Sequence, residues 1–175
     1  MPDPLDRLAG KGYNGVVDAA PALVVDLPDE AATAGLAARL AWRARQGDVI
    51  GLQGELGSGK TTFARAFIRA LGDANEGVPS PTFALVEIYA FAGKPPVWHF
   101  DLYRLAAPED AYELGIEDAL AEGISLIEWP ERLGRLLPPE HLLLSLAPGR
   151  APEARTARLA ATPHWAGRLD GIDHG

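Results

Sequence analysis

Lys60 and Thr61 close a stretch of sequence that can hold the phosphates of a nucleotide. With Gly54 and Gly59 they fit the pattern G-x-x-x-x-G-K-[ST], within GELGSGKTTF. Glycines in such a loop let successive backbone N–H groups point inward at phosphate oxygens. The lysine reaches the β- and γ-phosphates, and the Thr61 hydroxyl can ligate Mg²⁺. A turn between a strand and a helix would explain the glycines, but not the lysine and hydroxyl that follow them.

Two acidic residues could complete a magnesium site, because Mg²⁺ usually needs a carboxylate at the end of a neighbouring strand. Asp101 ends the apolar run VWHFD, and Glu128 ends ISLIE. If their strands lie beside the strand that enters the loop, one acid would hold Mg²⁺. The other would orient water or sense the γ-phosphate. Either acid could otherwise be a solvated strand end or a helix cap.

The hydrophobic pattern predicts the elements that must position these residues. Apolar runs predict strands at 22–27, 48–54, 82–91, 97–101, 124–129, 141–147 and 156–162. Amphipathic and capping patterns predict helices at 28–46 and 60–72, with shorter helical pieces within 108–123 and 130–138. The turn AGKPP predicts an antiparallel hairpin. The chain is therefore predicted to be a three-layer α/β domain of the P-loop NTPase kind, with a mixed central sheet.

Length and composition predict one domain over residues 21–162, with a flexible leader at 1–20 and a loose C-terminal tail at 163–175. No apolar run is long enough to cross a membrane and no signal peptide is visible, so a cytoplasmic protein without membrane contact is expected. The chain has no cysteine, which excludes disulfides and Cys-ligated zinc. Its four histidines lack the spacing of metal ligands, and His99, inside an apolar strand, is interpreted as a satisfied core residue.

Charge and motifs narrow the choice of nucleotide and activity. A net charge of -8 argues against binding tRNA by this chain alone. The guanine-reading motif Asn-Lys-x-Asp is absent, since the only asparagines are Asn14 and Asn75. ATP is therefore the expected nucleotide. A small-molecule kinase needs a basic lid, and Arg104 is the only basic residue between Asp101 and Glu128. A kinase for a small hydroxyl acceptor and a regulator that binds without hydrolysis stay as alternatives.

Five linked segments resemble one family. GELGSGKTTF, VPSPTF followed by LVEIY, HFDLYRL, ELGIED and IEWPERL occur in the order and spacing typical of the TsaE (YjeE) family. These are P-loop ATPases of tRNA threonylcarbamoyladenosine (t6A) biosynthesis. The resemblance extends from about Leu27 to about Leu146. It implies an ATPase that acts with TsaD, which transfers the threonylcarbamoyl group, and TsaB, so that tRNA is contacted mainly through these partners. Because the sequence shows no clear arginine finger in a lid, turnover by the chain alone is expected to be slow.

The resemblance also implies roles for individual residues. Lys60, Asp101 and Glu128 are expected to be catalytic, and Thr61, Glu128 and Asp101 to hold Mg²⁺. Glu128 is favoured for the metal, and Asp101 for orienting the hydrolytic water or sharing the metal. Residues expected to contact ATP are Glu55, Leu56, Gly57, Ser58, Gly59, Lys60, Thr61, Thr62, Thr82 and Trp129.

Several of these roles have structural alternatives. Thr82, within the switch-like segment SPTF, could be an ordinary strand residue, and Trp129 could belong to the core. Tyr103 and Arg104 could stabilise the strand end or touch phosphate or a partner.

Two positions depart from the family pattern. Glu55 stands where members usually carry Asp, and Ser58 where they often carry Ala. The longer acidic arm puts any contact of that acid with a partner or a loop amide in doubt, whereas the serine should have little effect in a loop whose backbone binds.

Overall fold

A computed structural model describes residues 23–72 and 84–173. Its strands are β1 (Leu23–Leu27), β2 (Val49–Gln53), β3 (Val86–Tyr89), β4 (Val97–Asp101), β5 (Ile124–Glu128), β6 (Leu142–Pro148) and β7 (Arg155–Ala161). Its α-helices are α1 (Glu30–Arg43), α2 (Lys60–Leu71), α3 (Ile116–Glu122) and α4 (Pro163–Ala166), and 3-10 helices span Pro108–Tyr112 and Pro130–Leu136. The leader predicted at 1–20 and the SPTF segment with Thr82 lie outside the described residues.

The strands form one sheet of seven, in the order β1-β7-β6-β2-β5-β4-β3. The central strands β6, β2, β5 and β4 are parallel, whereas β3 pairs antiparallel with β4, and β7 antiparallel with both β6 and β1. The predicted α/β class, the mixed sheet and the hairpin through AGKPP are therefore confirmed. In this order β5 lies directly beside β2, and β4 lies one strand further out.

Helices cover both faces of the sheet because the central strands bury side chains on both sides. Ile50 and Leu52 of β2 pack in a core with α1 and α2. Val49 packs instead in a second core with α3 and the two 3-10 helices. This alternation makes the three predicted layers. Within the described residues, no helix has the length and apolar character needed to span a membrane.

The helix ends follow local chemistry. The Asp29 side chain accepts a hydrogen bond from the backbone N–H of Ala32 at 2.8 Å, which satisfies one free N–H of the first turn of α1. Helix α1 ends at Arg43 because Ala44 is extended, three residues before the predicted end. Helix α2 begins directly after the Gly-rich loop, as predicted, which places Lys60 and Thr61 in its first turn.

The prediction of a loose tail from residue 163 is wrong for residues 163–173. Trp165, Leu169 and Ile172 are buried in the same core as α1 and α2. The Arg39 side chain also donates to the backbone carbonyl of Ile172 at 2.8 Å. The three apolar residues are spaced i, i+4 and i+7, which is the helical period that could have predicted their burial.

Candidate functional site

The loop between β2 and α2 can adopt its tight curve only because of its glycines. Gly54 has a φ of 153°, and a Cβ there would lie 2.4 Å from Ser58 Oγ and 2.7 Å from the Leu146 carbonyl. Gly59 has a φ of 104° at the residue before α2. Any larger residue would displace the loop at the first position and strain the backbone at the second. The resulting curve points backbone N–H groups and the start of α2 toward one cavity.

Lys60 is folded back over this loop. Its Nζ donates to the carbonyls of Gly54 at 2.7 Å and Glu55 at 2.9 Å. Burial lowers the pKa of Lys60, although nearby acids, Glu128 first among them, oppose that shift. The ammonium is thus poorly hydrated and is held by these two carbonyls, with Ser58 Oγ at 3.4 Å, a state in which it can exchange those contacts for phosphate oxygens.

Thr61, in the first turn of α2, contacts Glu128 at the carboxyl end of β5. The Thr61 hydroxyl donates to Glu128 Oε1 at 2.7 Å. Glu128 is paired in register with Leu52 of β2 on one side and Asp101 of β4 on the other. Because the parallel strands end together, both predicted acids lie at the edge of the sheet that carries the loop.

Asp101 is buried, and its Oδ1 accepts the backbone N–H of Tyr103 at 3.2 Å. Next to it, the Trp129 ring lies under Lys60 Nζ, 4.2 Å from the ring centroid, and contacts the Tyr103 ring at 4.9 Å between centroids. Trp129 has a φ of 61°, an unfavourable conformation for a residue with a side chain. Trp129 therefore contacts the lysine of the Gly-rich loop, at a backbone position under strain.

These residues line one cavity of about 300 Å³. Its walls are loop and helix residues 56–62 with Asp101, Tyr103, Glu128, Trp129 and Arg155. The structure therefore brings together all the predicted site residues except two. The Glu55 side chain is exposed and only its carbonyl takes part, and Thr82 lies outside the described residues.

Arg155, at the start of β7, is a cavity residue that the sequence did not indicate. Its Nε donates to the Ser58 carbonyl at 3.0 Å, and its Nη2 to the Gly57 carbonyl at 3.4 Å. Its Nη1 donates to the carbonyls of Pro152 and Ala154. Arg155 thereby joins the phosphate loop to the β6–β7 loop. It also borders a larger cavity of about 730 Å³, walled by residues 26–28, 147–151 and 154–156.

His99 is buried as predicted, but the interpretation that its polar atoms are satisfied is wrong. Its ring is 0% exposed, and neither ring nitrogen has a hydrogen-bond partner among the described residues. Its Nε2 lies 3.5 Å from Glu128 Oε2, which also lacks a hydrogen-bond partner.

The comparison with known families decides which one this chain resembles. The model of the family described as threonylcarbamoyl adenosine biosynthesis protein TsaE matches residues 27–157. This chain belongs to the TsaE family. The match covers the phosphate loop, both acids and Arg155, and extends beyond the segment up to Leu146 that the motifs indicated.

Individual TsaE relatives agree with the family model. A Rickettsia conorii protein named tRNA threonylcarbamoyladenosine biosynthesis protein TsaE is 42% identical over 120 residues, 69% of this chain and 68% of that protein. A Haemophilus influenzae protein of the same name is 45% identical over 96 residues, 54% of this chain and 60% of that protein. The crystal structure of Bacillus subtilis YdiB superposes with a TM-score of 0.69 at 24% identity, covering 86% of this chain and 93% of that one.

The oxygen atoms at the TsaE cavity suit Mg²⁺ bound together with phosphates. The Thr61 hydroxyl and the Glu128 and Asp101 carboxylates are hard ligands of the kind Mg²⁺ takes. Glu128 also has a buried oxygen, Oε2, that receives no hydrogen bond from the part of the chain that the structure describes. Within the described residues, no group of three His, Cys, Asp or Glu could hold a metal unaided. Thr61, Glu128 and Asp101 are therefore the residues that could hold Mg²⁺ here.

Proposed function

We propose that this TsaE-family chain binds ATP with Mg²⁺ and hydrolyses the ATP in support of tRNA threonylcarbamoyladenosine biosynthesis. The observation that carries the proposal is the 2.7 Å hydrogen bond from Thr61 to Glu128 in the first turn after the Gly-rich loop. It joins a hydroxyl and a carboxylate beside a buried lysine, which is the combination that phosphoryl transfer to water requires.

Each residue of the cavity has a proposed task. The loop N–H groups and Lys60 hold the β- and γ-phosphates, and the start of α2 adds partial positive charge there. Thr61 and Glu128 hold Mg²⁺, which neutralises charge on the phosphates when bound. Asp101, paired in register with Glu128, orients the attacking water or shares the metal. Trp129 keeps Lys60 in place through its ring.

The nucleoside of ATP is proposed to lie in the larger cavity beyond Arg155. That cavity, at about 730 Å³, is within the range of small-molecule sites. Leu27, Pro28 and Pro148 give it apolar walls suited to a base, and Thr156 and Arg150 give it polar ones. Arg155 borders both cavities, so one nucleotide could extend from the first to the second.

The partners are proposed to be homologues of TsaD and TsaB, working in the cytoplasm. The net charge of -8 favours leaving tRNA mainly to those partners. The rim of the phosphate cavity carries two exposed apolar side chains, Leu56 at 69% and Tyr103 at 37% exposure. Exposed apolar side chains beside a site are typical of a protein contact. A partner bound there would close the cavity and speed a reaction that the isolated chain performs slowly.

Phosphate release tests the proposal. The purified chain is mixed with ATP and Mg²⁺, with and without the TsaD and TsaB homologues, and inorganic phosphate is measured. Slow release that rises with the partners and disappears in Lys60→Ala is expected. Brisk release by the chain alone would contradict the dependence on partners. ATP consumed in step with a phosphorylated metabolite would instead support the kinase alternative.

The partner surface has its own matched pair of variants. Leu56→Ser removes an apolar side chain from the rim, whereas Ile88→Ser removes one of 52% exposure from the distant edge strand β3. We expect Leu56→Ser to reduce stimulation by the partners about tenfold and to change ATP affinity less than that, because the loop holds phosphate through its backbone N–H groups. Ile88→Ser should leave both unchanged. Equal stimulation of the two variants would place the contact elsewhere.

A further inference from the structure

His99 lies behind the proposed magnesium ligand rather than among ordinary core residues. Along β4, Trp98 and Phe100 pack in the core of α3. Because side chains alternate along a strand, His99 and Asp101 face the opposite side, toward α2. Glu128 reaches the same side, since Ile127 before it packs in the α3 core and its own side chain meets Thr61 on α2.

Among the described residues, both ring nitrogens of His99 and one carboxylate oxygen of Glu128 lack a hydrogen-bond partner, and His99 Nε2 is the nitrogen that faces that oxygen. His99 Nε2 and Glu128 Oε2 are 3.5 Å apart, with side chains 0% and 1% exposed. The other carboxylate oxygen, Oε1, is taken by Thr61. Buried polar atoms are rarely left without a partner in folded proteins. A closer approach of about 0.5 Å would make an ordinary N–H to oxygen hydrogen bond.

We propose that His99 is a positioning residue for Glu128. Its Nε2–H donates to Oε2, and this contact fixes the carboxylate so that Oε1 stays at Thr61, where Mg²⁺ would be held. An ionised carboxylate only accepts hydrogen bonds, so the ring must carry its proton on Nε2. Donors behind a metal-binding side chain set its orientation, and their loss typically weakens metal binding about 10- to 100-fold. This inference rests on the proposed function, because it assigns His99 through that metal.

The first test compares two substitutions at the same position. His99→Leu removes the donor, whereas His99→Gln keeps an amide N–H at a similar reach. ATP affinity is measured by calorimetry across a range of Mg²⁺ concentrations and in EDTA. His99→Leu should raise the Mg²⁺ concentration for half-maximal effect about tenfold while affinity in EDTA stays at the wild-type value. His99→Gln should restore most of the difference.

A second buried histidine supplies the control. His141 lies in the turn before β6, 2% exposed, with Nδ1 2.6 Å from the Pro138 carbonyl. His141→Gln should leave the Mg²⁺ dependence unchanged. A His99→Leu variant whose Mg²⁺ dependence equals that of the wild type would overturn the inference. The proposed function would instead be contradicted if ATP binding by the wild type did not depend on Mg²⁺ and Lys60→Ala bound ATP as tightly as the wild type.

A spectroscopic test needs neither nucleotide nor metal, and it decides the matter if His99→Leu does not fold. The ring nitrogens of ¹⁵N-histidine-labelled protein are observed by NMR, and the His99 signals are assigned with His99→Gln. We expect a proton on Nε2, with a resonance that moves in Glu128→Gln. A proton on Nδ1, or an Nε2 signal that ignores Glu128→Gln, would show that the two groups do not interact.

Discussion

Two buried carboxylates, at opposite ends of two adjacent strands, differ in how many hydrogen bonds they accept. Asp48 stands just before β2, and Glu128 is the last residue of the adjacent parallel strand β5. Both side chains are 1% exposed. Asp48 accepts hydrogen bonds from Arg168 at 2.6 and 2.9 Å, from the Arg45 N–H at 2.6 Å and from His164 at 3.1 Å. Within residues 23–72 and 84–173, Glu128 accepts one, from Thr61.

The difference separates a group that holds the fold from a group available to a ligand. Burial by itself would raise the pKa of Asp48, but its bonds to Arg168, Arg45 and His164 hold that pKa below its ordinary value. The charge of Asp48 is therefore compensated by hydrogen-bond donors within the protein. Glu128 keeps an oxygen to which no described residue donates a hydrogen bond, beside the Gly-rich loop. An incomplete set of bonds at a buried acid is a reason to look for function there.

Glu128→Gln should have the largest effect of the substitutions considered, and that effect should fall on activity rather than on stability. Replacing the carboxylate with its neutral isostere should reduce Mg²⁺-dependent phosphate release about 1000-fold. The free energy of unfolding should change by less than about 1 kcal/mol, because a neutral amide is less costly to bury than an underused charge. Phosphate release and urea denaturation measure the two effects. Wild-type turnover in Glu128→Gln would remove Glu128 from the proposed site.

Asp48→Asn likewise replaces a buried carboxylate with its neutral amide, but at the acid that stabilises the fold. It should lower the free energy of unfolding by about 3 kcal/mol, because it leaves the guanidinium of Arg168 without its buried counter-charge. ATP affinity at a temperature where the variant is folded should match the wild type. Denaturant unfolding and calorimetry make the check. A variant as stable as the wild type would mean that these hydrogen bonds contribute little.

Acidic pH should reduce the stability that Asp48 contributes to the fold. The pKa of Asp48 in the folded protein lies below its ordinary value of 3.8, so the folded state binds fewer protons than the unfolded state. The stability it contributes is present above that ordinary value and is lost as pH falls through the folded pKa. The urea midpoints of the wild type and of Asp48→Asn should therefore differ more at pH 7 than at pH 3. A constant difference would contradict the shift.

Arg155→Ala tests a contact that joins the phosphate loop to a strand far along the chain. Loss of its bonds to the Ser58 and Gly57 carbonyls should loosen the loop and weaken ATP binding about tenfold, equivalent to roughly 1.4 kcal/mol. Arg135→Ala removes the same charge from an exposed position in the second 3-10 helix and should have no effect. Calorimetric titration with ATP compares them. Equal affinities would show that Arg155 is not needed to shape the loop.

Glu55→Asp should have the smallest effect. The Glu55 side chain is exposed, and the loop uses only its backbone carbonyl. ATP affinity should therefore stay within about twofold, a change worth less than roughly 0.5 kcal/mol. Any larger effect should appear only in stimulation by partner proteins. A large loss of affinity in the isolated chain would show that the carboxylate reaches the nucleotide.

The sequence predicted most of the sheet because its strands are continuous apolar runs between turn residues. It also indicated that Asp101 and Glu128 would lie near Lys60 and Thr61 if their strands flank the strand that enters the loop, since each acid ends an apolar run. Arg155 could not be predicted, because its contact with Ser58 depends on the register of β7, 97 residues away. The partners of Asp48 were missed for the same reason, as Arg168 and His164 lie 120 and 116 residues further on.

Among the described residues, β1 pairs with β7 and with no other strand. The two run antiparallel, with Leu23 opposite Leu159. During synthesis on the ribosome, β1 must therefore wait until β7 has emerged. Contacts between such distant segments form slowly. Partial chains would expose the apolar edges of β1 and β2 meanwhile, which makes the unfinished protein a natural client of chaperones.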